Sequence, residues 1–201
     1  MSELRNRTPL VHRSESSGLA VGMREIRDCG IIDLRGLAGD QAFMEAARSV
    51  LGADLPTAPR TSLSWGDIKI LWLSIDQWLI LCPGSKAPDI AAKLSKALAG
   101  IHSLIVDVSD MQAIIRLEGQ GIREVLLKGA SLDLMGRDYP PGTVRRLLFA
   151  EIAALIHVIE QDVIDLYVFR SYADYAWDFL LAAARAPAAL RLFGTQDTPV
   201  V

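Results

Sequence analysis

From 163 to 169 the chain alternates: Ile164, Leu166 and Val168 fall on one side, Asp165, Tyr167 and Phe169 on the other. A period of two is that of a strand. Ser171 ends the alternation, and Asp174 completes a Ser-x-x-Asp pattern that predicts a capping box at a helix start. Ala173, Ala176, Trp177, Leu180 and Ala184 then recur at helical spacing, and Pro187 supplies a stop. A strand feeding straight into an amphipathic helix requires both to pack on one core.

The same grammar runs along the rest of the chain. Residues 23–35 hold two short strands around Gly30, and Asp40 is placed to cap a helix over 41–51 with Phe43, Ala46, Ala47 and Val50 as its stripe. Gly66-Asp67 separates two strand-like runs as a type II′ hairpin turn would. Residues 78–82 form a third apolar strand, followed by a helix begun by Pro88, faced by Ile90, Leu94, Ala97 and Leu98, and closed by Gly100.

In the second half, 104–108 and 113–117 read as strands around Ser109-Asp110, and Gly119-Gln120-Gly121 turns into a helix over 122–128. After a loop containing Pro140-Pro141, the runs 144–151, 153–159 and 163–169 read as consecutive antiparallel strands. The layout strand, polar cap, helix thus occurs near 78–98 and again near 165–184, without shared residue identity. Strands outnumber helices and meet through short connections, which predicts an α+β fold: two lobes of antiparallel sheet, each with helices on one face. The expected division is an N-terminal arm at 1–20, a first lobe at 21–101, a second at 102–187 and a tail at 188–201.

Composition changes this picture little. With 51% hydrophobic and 22% charged residues the chain has the makeup of a globular domain, and its net charge of −3 comes without any basic block. Arg145-Arg146 and the Arg5/Arg7 pair are too short to form a patch, so no nucleic-acid or membrane-surface partner is expected. The N-terminal stretch lacks the apolar core of a signal peptide, and the longest apolar runs are strand-sized. A soluble, cytoplasmic protein is the expectation.

Candidate chemistry is sparse. Cys29 and Cys82 lack the short spacing of a disulfide framework or metal site, and two small buried hydrophobes are the simpler reading. Gly119-x-Gly121 follows a strand and opens a helix, but Glu124 stands where a dinucleotide fingerprint has its third glycine. A carboxylate there would face a pyrophosphate, so a Gly-rich turn is preferred. His12, His102 and His157 are isolated, and no nucleophile elbow or phosphate loop occurs. Asp107 and Asp110 flank a turn, where such residues bond nearby backbone; as an acid pair they could also move protons. Arg116 and Arg170 could support ion pairs or anchor an anion. The four tryptophans suit a core, with an exposed one suiting an interface.

Several short motifs in order carry a resemblance. They are Trp78-Leu79-Ile80-Leu81, Val106-Asp107-Val108-Ser109-Asp110, Ile115-Arg116-Leu117-x-Gly119, and Val125-Leu126-x-Lys128-Gly129 followed by Leu132-Asp133-Leu134. The loop Tyr139-Pro140-Pro141-Gly142 and the closing Asp165-Leu166-Tyr167-Val168-x-Arg170-Ser171-Tyr172-Ala173 complete the set. Together, over about 75–185, they resemble the gamma subunit of heterotetrameric sarcosine oxidase.

The resemblance implies a fold related to the folate-binding domain of the glycine-cleavage aminomethyltransferase. It implies a bacterial complex with alpha, beta and delta subunits, alpha being the direct contact expected. That complex, part of sarcosine catabolism, oxidatively demethylates sarcosine to glycine. It yields hydrogen peroxide, with formaldehyde or 5,10-methylenetetrahydrofolate. FAD, FMN, NAD, zinc and tetrahydrofolate are implied for the other subunits and no cofactor for this one, with no catalytic, cofactor-binding or metal residue assigned. Ala130 stands where relatives often carry Cys after the Lys128-Gly129 pair, so no thiol function can rest there. Asp107 and Arg170 are the positions to test for a vestigial folate pocket, Tyr167, Phe169 and Trp177 those to test as partner contacts. Two functions of different class follow: a non-catalytic assembly subunit, or a stand-alone folate-binding or one-carbon-transfer protein of the same fold.

Overall fold

A computed structural model describes residues 8–13, 21–135 and 139–185. Ten strands there build two antiparallel five-stranded sheets. The first runs, edge to edge, through β3 (Ser62–Trp65), β4 (Ile68–Ser74), β5 (Gln77–Pro83), β2 (Cys29–Arg35) and β6 (Leu104–Asp107). The second runs through β1 (Gly22–Ile26), β7 (Gln112–Glu118), β10 (Val163–Phe169), β9 (Ile152–Glu160) and β8 (Val144–Phe149). Helices α1 (Gln41–Leu51) and α2 (Ala87–Ala97) pack with the first sheet, α3 (Ile122–Leu127) and α4 (Ala173–Ala183) with the second.

Three apolar layers follow from strand alternation. Ile32, Leu34, Ile70, Trp78 and Ile80 point outward to Phe43, Leu51, Ile90 and Leu94 of the helices. Ile115, Leu117, Ile164, Leu166 and Val168 do the same toward Val125, Trp177 and Leu180. Between the sheets lie Ile31, Leu71, Leu79 and Leu81 against Ile114, Val144, Leu155 and Tyr167. The order is helices, sheet, sheet, helices, an α+β sandwich with helices on one face of each sheet. Both faces of β10 are therefore covered, and Asp165 and Tyr167 are buried along with its apolar set. Full burial of the apolar side chains among them is worth about 1.5–3 kcal/mol each.

Sheet membership cuts across the expected boundary at 101/102. β1 pairs with β7 in the second sheet, and β6 pairs with β2 in the first. Runs 104–108 and 113–117 thus do not form a hairpin: the chain passes from one sheet to the other between them. Alternating runs alone do not say which strands pair, because partner choice is set by tertiary packing.

Asp40 caps α1 as predicted, its Oδ1 accepting the N–H groups of Ala42 and Phe43. Gly66 has φ +54°, the left-handed value the hairpin turn requires at its first central position. The capping box expected at Ser171 and Asp174 is not formed. A 3-10 turn (Arg170–Tyr172) leads into α4, and no side chain caps its N-terminus. Asp174 is drawn away by the arm: Oδ1 accepts from His12 Nε2 at 2.8 Å and Arg13 Nε at 3.0 Å. Arg13 also reaches Asp178 at 2.8 Å, and Leu10 is fully buried in the second sheet's outer core. The sequence shows no apolar periodicity in the arm, so its docking at 8–13 was not readable there. The rest of the arm, at 1–7 and 14–20, and the tail at 188–201 lie outside the described residues.

Candidate functional site: a cleft where the sheets exchange strands

Three connections converge at one end of the sandwich. Asp28, between β1 and β2, sits at φ 55° and its carbonyl accepts the Gly84 N–H at 2.7 Å after β5. The segment joining β6 to β7 is tied back to β2, Val108 N–H donating to the Ile31 carbonyl (2.8 Å) and Ile31 N–H to Ser109 Oγ (3.0 Å). Between these connections opens a cleft of about 1100 Å³. Ile26, Ile31, Val108 and Ile114 give it apolar walls, while Glu25, Arg27, Asp107, Asp110, Gln112 and Arg170 supply polar groups. Thr8 of the arm also lines it. The Thr8 Oγ1 and Gln112 Oε1 atoms are buried there without a hydrogen-bond partner.

Asp107 and Arg170, separated widely in sequence, both face this cleft. Asp107 and Asp110, the acid pair weighed for proton transfer, each meet a different partner. Asp107 Oδ1 accepts both the N–H and the hydroxyl of Ser109, a local turn that spends the carboxylate on backbone geometry. Asp110 lies 3.7 Å from Arg170 Nη1, and Arg27 Nε donates to Glu25 Oε2 at 3.1 Å. Burial, the largest cause, pushes the Cys29 thiol up to about 11, with the neighbouring Cys82 adding to the rise. It is held as a thiol at neutral pH, the form without nucleophilic power. Cys82 packs against the helix layer and Cys29 against the inter-sheet layer, so the two free cysteines occupy opposite faces of one sheet.

A second polar group lies between the sheets. Arg116 donates two hydrogen bonds to Asp165, at 2.6 and 2.8 Å. His157, opposite Asp165 on β9, shares a 2.8 Å hydrogen bond with Ser62 through Nε2 and leaves Nδ1 without a partner. Burial lowers its pKa to about 4, so the ring is neutral near pH 7. Gln77 bridges the sheets, donating to Asp33 and accepting from Arg146. Sequence reading left His157 and Asp165 as separate points; only register brings them together.

The remaining positions are structural. Gly119-Gln120-Gly121 forms the turn into α3, with Gly119 N–H bonded to the Asp162 carbonyl. Lys128 Nζ donates to the Ala183 carbonyl at the end of α4. Tyr167 and Trp177 are buried, whereas Phe169 is 41% and Trp65 61% exposed. Among the described residues no group of three or more His, Cys, Asp and Glu could hold a metal ion, and no helix is long and apolar enough to cross a membrane.

A chain of the heterotetrameric sarcosine oxidase from Corynebacterium sp. U-96, solved with pyrrole 2-carboxylate, superimposes with TM-score 0.82 at 22% identity, covering 91% of this chain and 96% of that one. The glycine-cleavage aminomethyltransferase T of Bartonella henselae follows at TM-score 0.60 and 16% identity, covering 81% of this chain and 46% of that one. These likenesses fix the fold as that of the aminomethyltransferase folate-binding domain. No curated protein sequence matches the chain. The family model described as "Sarcosine oxidase, gamma subunit family" matches residues 35–186, a span that takes in all four helices and the strands from β3 to β10, and the chain belongs to that family.

Proposed function

We propose that the chain is the gamma subunit of a heterotetrameric sarcosine oxidase and serves to assemble and stabilise it, without catalytic groups of its own. The family match over 35–186 carries this reading. The local chemistry supports it. Asp107, Glu25 and Asp110 in the cleft are engaged in a turn and in ion pairs, and the thiol that lines it is protonated at neutral pH. FAD, FMN, NAD, zinc and tetrahydrofolate would then be held by alpha, beta and delta subunits, with alpha the direct neighbour. The complex would work in a bacterial cytoplasm.

Co-production with the other subunits tests this. The expected result is a stable complex that converts sarcosine and oxygen to glycine and hydrogen peroxide, and a chain inactive by itself. A monomeric chain that oxidises sarcosine unaided would overturn the reading.

One observation favours the second function, a stand-alone folate-binding or one-carbon-transfer protein: Asp107 and Arg170 share the cleft. It predicts calorimetric binding of tetrahydrofolate to the isolated chain, weakened by Asp107→Ala. The engagement of Asp107 by Ser109 counts against it.

A further inference from the structure

Among the described residues, three of the four sheet edges are covered or polar. The arm lies against β1, where Leu10 N–H donates to Glu25 Oε1 at 3.4 Å. Ser131 closes β8, its N–H donating to the Leu148 carbonyl (3.0 Å) and its Oγ accepting the Leu148 N–H (3.2 Å). β3 has serine at two of its four positions. β6 has none of these guards, and neither Lys, Pro nor a bulge interrupts it. Its pairing with β2 decides which backbone groups are left over. In an antiparallel ladder, opposite residues alternately exchange both their bonds or none. Val108 N–H donates to the carbonyl of Ile31, one rung beyond the Ile32–Asp107 pair, so Val108, Val106 and Leu104 turn their backbone groups toward β2. Ile105 and Asp107 turn theirs outward, where no described residue bonds them. The side chains of Leu104 and Val106, on one face of this edge, are 45% and 40% exposed. Beyond Val108 the apolar surface continues in exposed Met111, whose carbonyl accepts the Arg170 N–H, and in Phe169.

We infer that β6 takes an extended segment of a partner subunit as the sixth strand of the first sheet. The inference rests on the assembly reading above. The chemistry of the edge names the occupant. The outward N–H and C=O groups of Ile105 and Asp107 match the backbone of a strand and not that of a helix, whose groups are bonded within it. Leu104 and Val106 share a face, so the occupant carries apolar side chains at the alternate positions beside them, in a run that extends toward Met111 and Phe169. A four-residue edge supplies only a small part of the roughly 1,200–2,000 Å² that a stable interface buries. A second copy held by this edge alone would therefore not stay, whereas a subunit that also grips the chain elsewhere in a complex would.

The test is amide hydrogen exchange, resolved residue by residue, on the full chain alone and co-produced with the other subunits. The Ile105 and Asp107 amides are expected to exchange at least about tenfold more slowly in the complex, while the Val106 amide, bonded to β2 in both, changes far less. Ile105→Pro removes one outward donor and spares the bonds to β2, and is expected to weaken association about tenfold. Leu104→Lys puts a charge on the edge and is expected to weaken it severalfold, which keeps a variant in hand if Ile105→Pro folds poorly. A complex that forms with Ile105 and Asp107 exchanging as fast as in the isolated chain overturns the inference and leaves the assembly reading standing. Slow exchange of the same two amides in the isolated chain also overturns it, because a second copy or another part of this chain would then be the occupant. A wild-type chain that stays out of the complex overturns both readings.

Discussion

Arg116 and Asp165 face each other across the β7–β10 pairing, joined by two parallel N–H···O bonds of 2.6 and 2.8 Å. The carboxylate side chain is 5% exposed and the guanidinium 19%, so this pair is held largely out of water. Removing one partner leaves the other charge buried, a loss of about 3–5 kcal/mol. Asp165→Ala is expected to destabilise the fold by roughly that amount, read as a lower urea midpoint. Replacing both by apolar residues, Arg116→Met with Asp165→Leu, is expected to recover most of it.

His157 makes stability depend on pH in a definite direction. Its folded pKa is lowered to about 4, below the unfolded value near 6.5, so the unfolded chain binds the proton more readily. Stability is whole above about pH 6.5, falls as pH drops, and levels off below about 4, with a total of about 3 kcal/mol. Thermal midpoints measured from pH 8 to 4 are expected to fall more steeply for the wild type than for His157→Gln. Parallel curves would show that the ring does not carry the effect.

The arm is expected to matter through one side chain more than through its charges. Leu10 is fully buried, and Leu10→Ala should cost about 2–5 kcal/mol. Asp174 is half exposed where it meets His12 and Arg13, and Asp174→Ala should cost under about 1 kcal/mol. Chemical denaturation of the two variants side by side gives the comparison.

Two nearby glycines should respond oppositely to alanine. A Cβ on Gly36 would lie 2.2 Å from the buried Phe43 ring, which packs on Trp78 at a centroid distance of 5.8 Å. Gly36→Ala is therefore expected to destabilise by about 1–3 kcal/mol. A Cβ on Gly39 meets nothing within 4 Å, and Gly39→Ala should leave the urea midpoint close to that of the wild type.

Element type was legible in the sequence wherever periodicity was strong. The alternation of 163–169, the stripe through Phe43 and Ala47, and the cap at Asp40 all reflect local physics, and each appears in the structure. What local pattern could not carry was partnership. Nothing within 104–118 says that β6 and β7 belong to different sheets, and nothing near Ser171 says that Asp174 is taken by Arg13 from the far end of the chain. The cleft was half legible: Asp107 and Arg170 were singled out, but Gln112 carries no motif, and its amide oxygen is buried only once the sheets assemble.

The exchange of β1 and β6 between sheets has a consequence for synthesis. β1 is the first of the described strands to leave the ribosome, yet its partner β7 begins only at Gln112. Until then the nascent chain can build only the first sheet, β6 included, and β1 waits unpaired with an apolar face around Met23. Closing so long a loop is slow, and an unpaired strand is a standing invitation to aggregation. Translation through β7 is thus the step that gives β1 its partner, and the second sheet is complete only once β10 has been made.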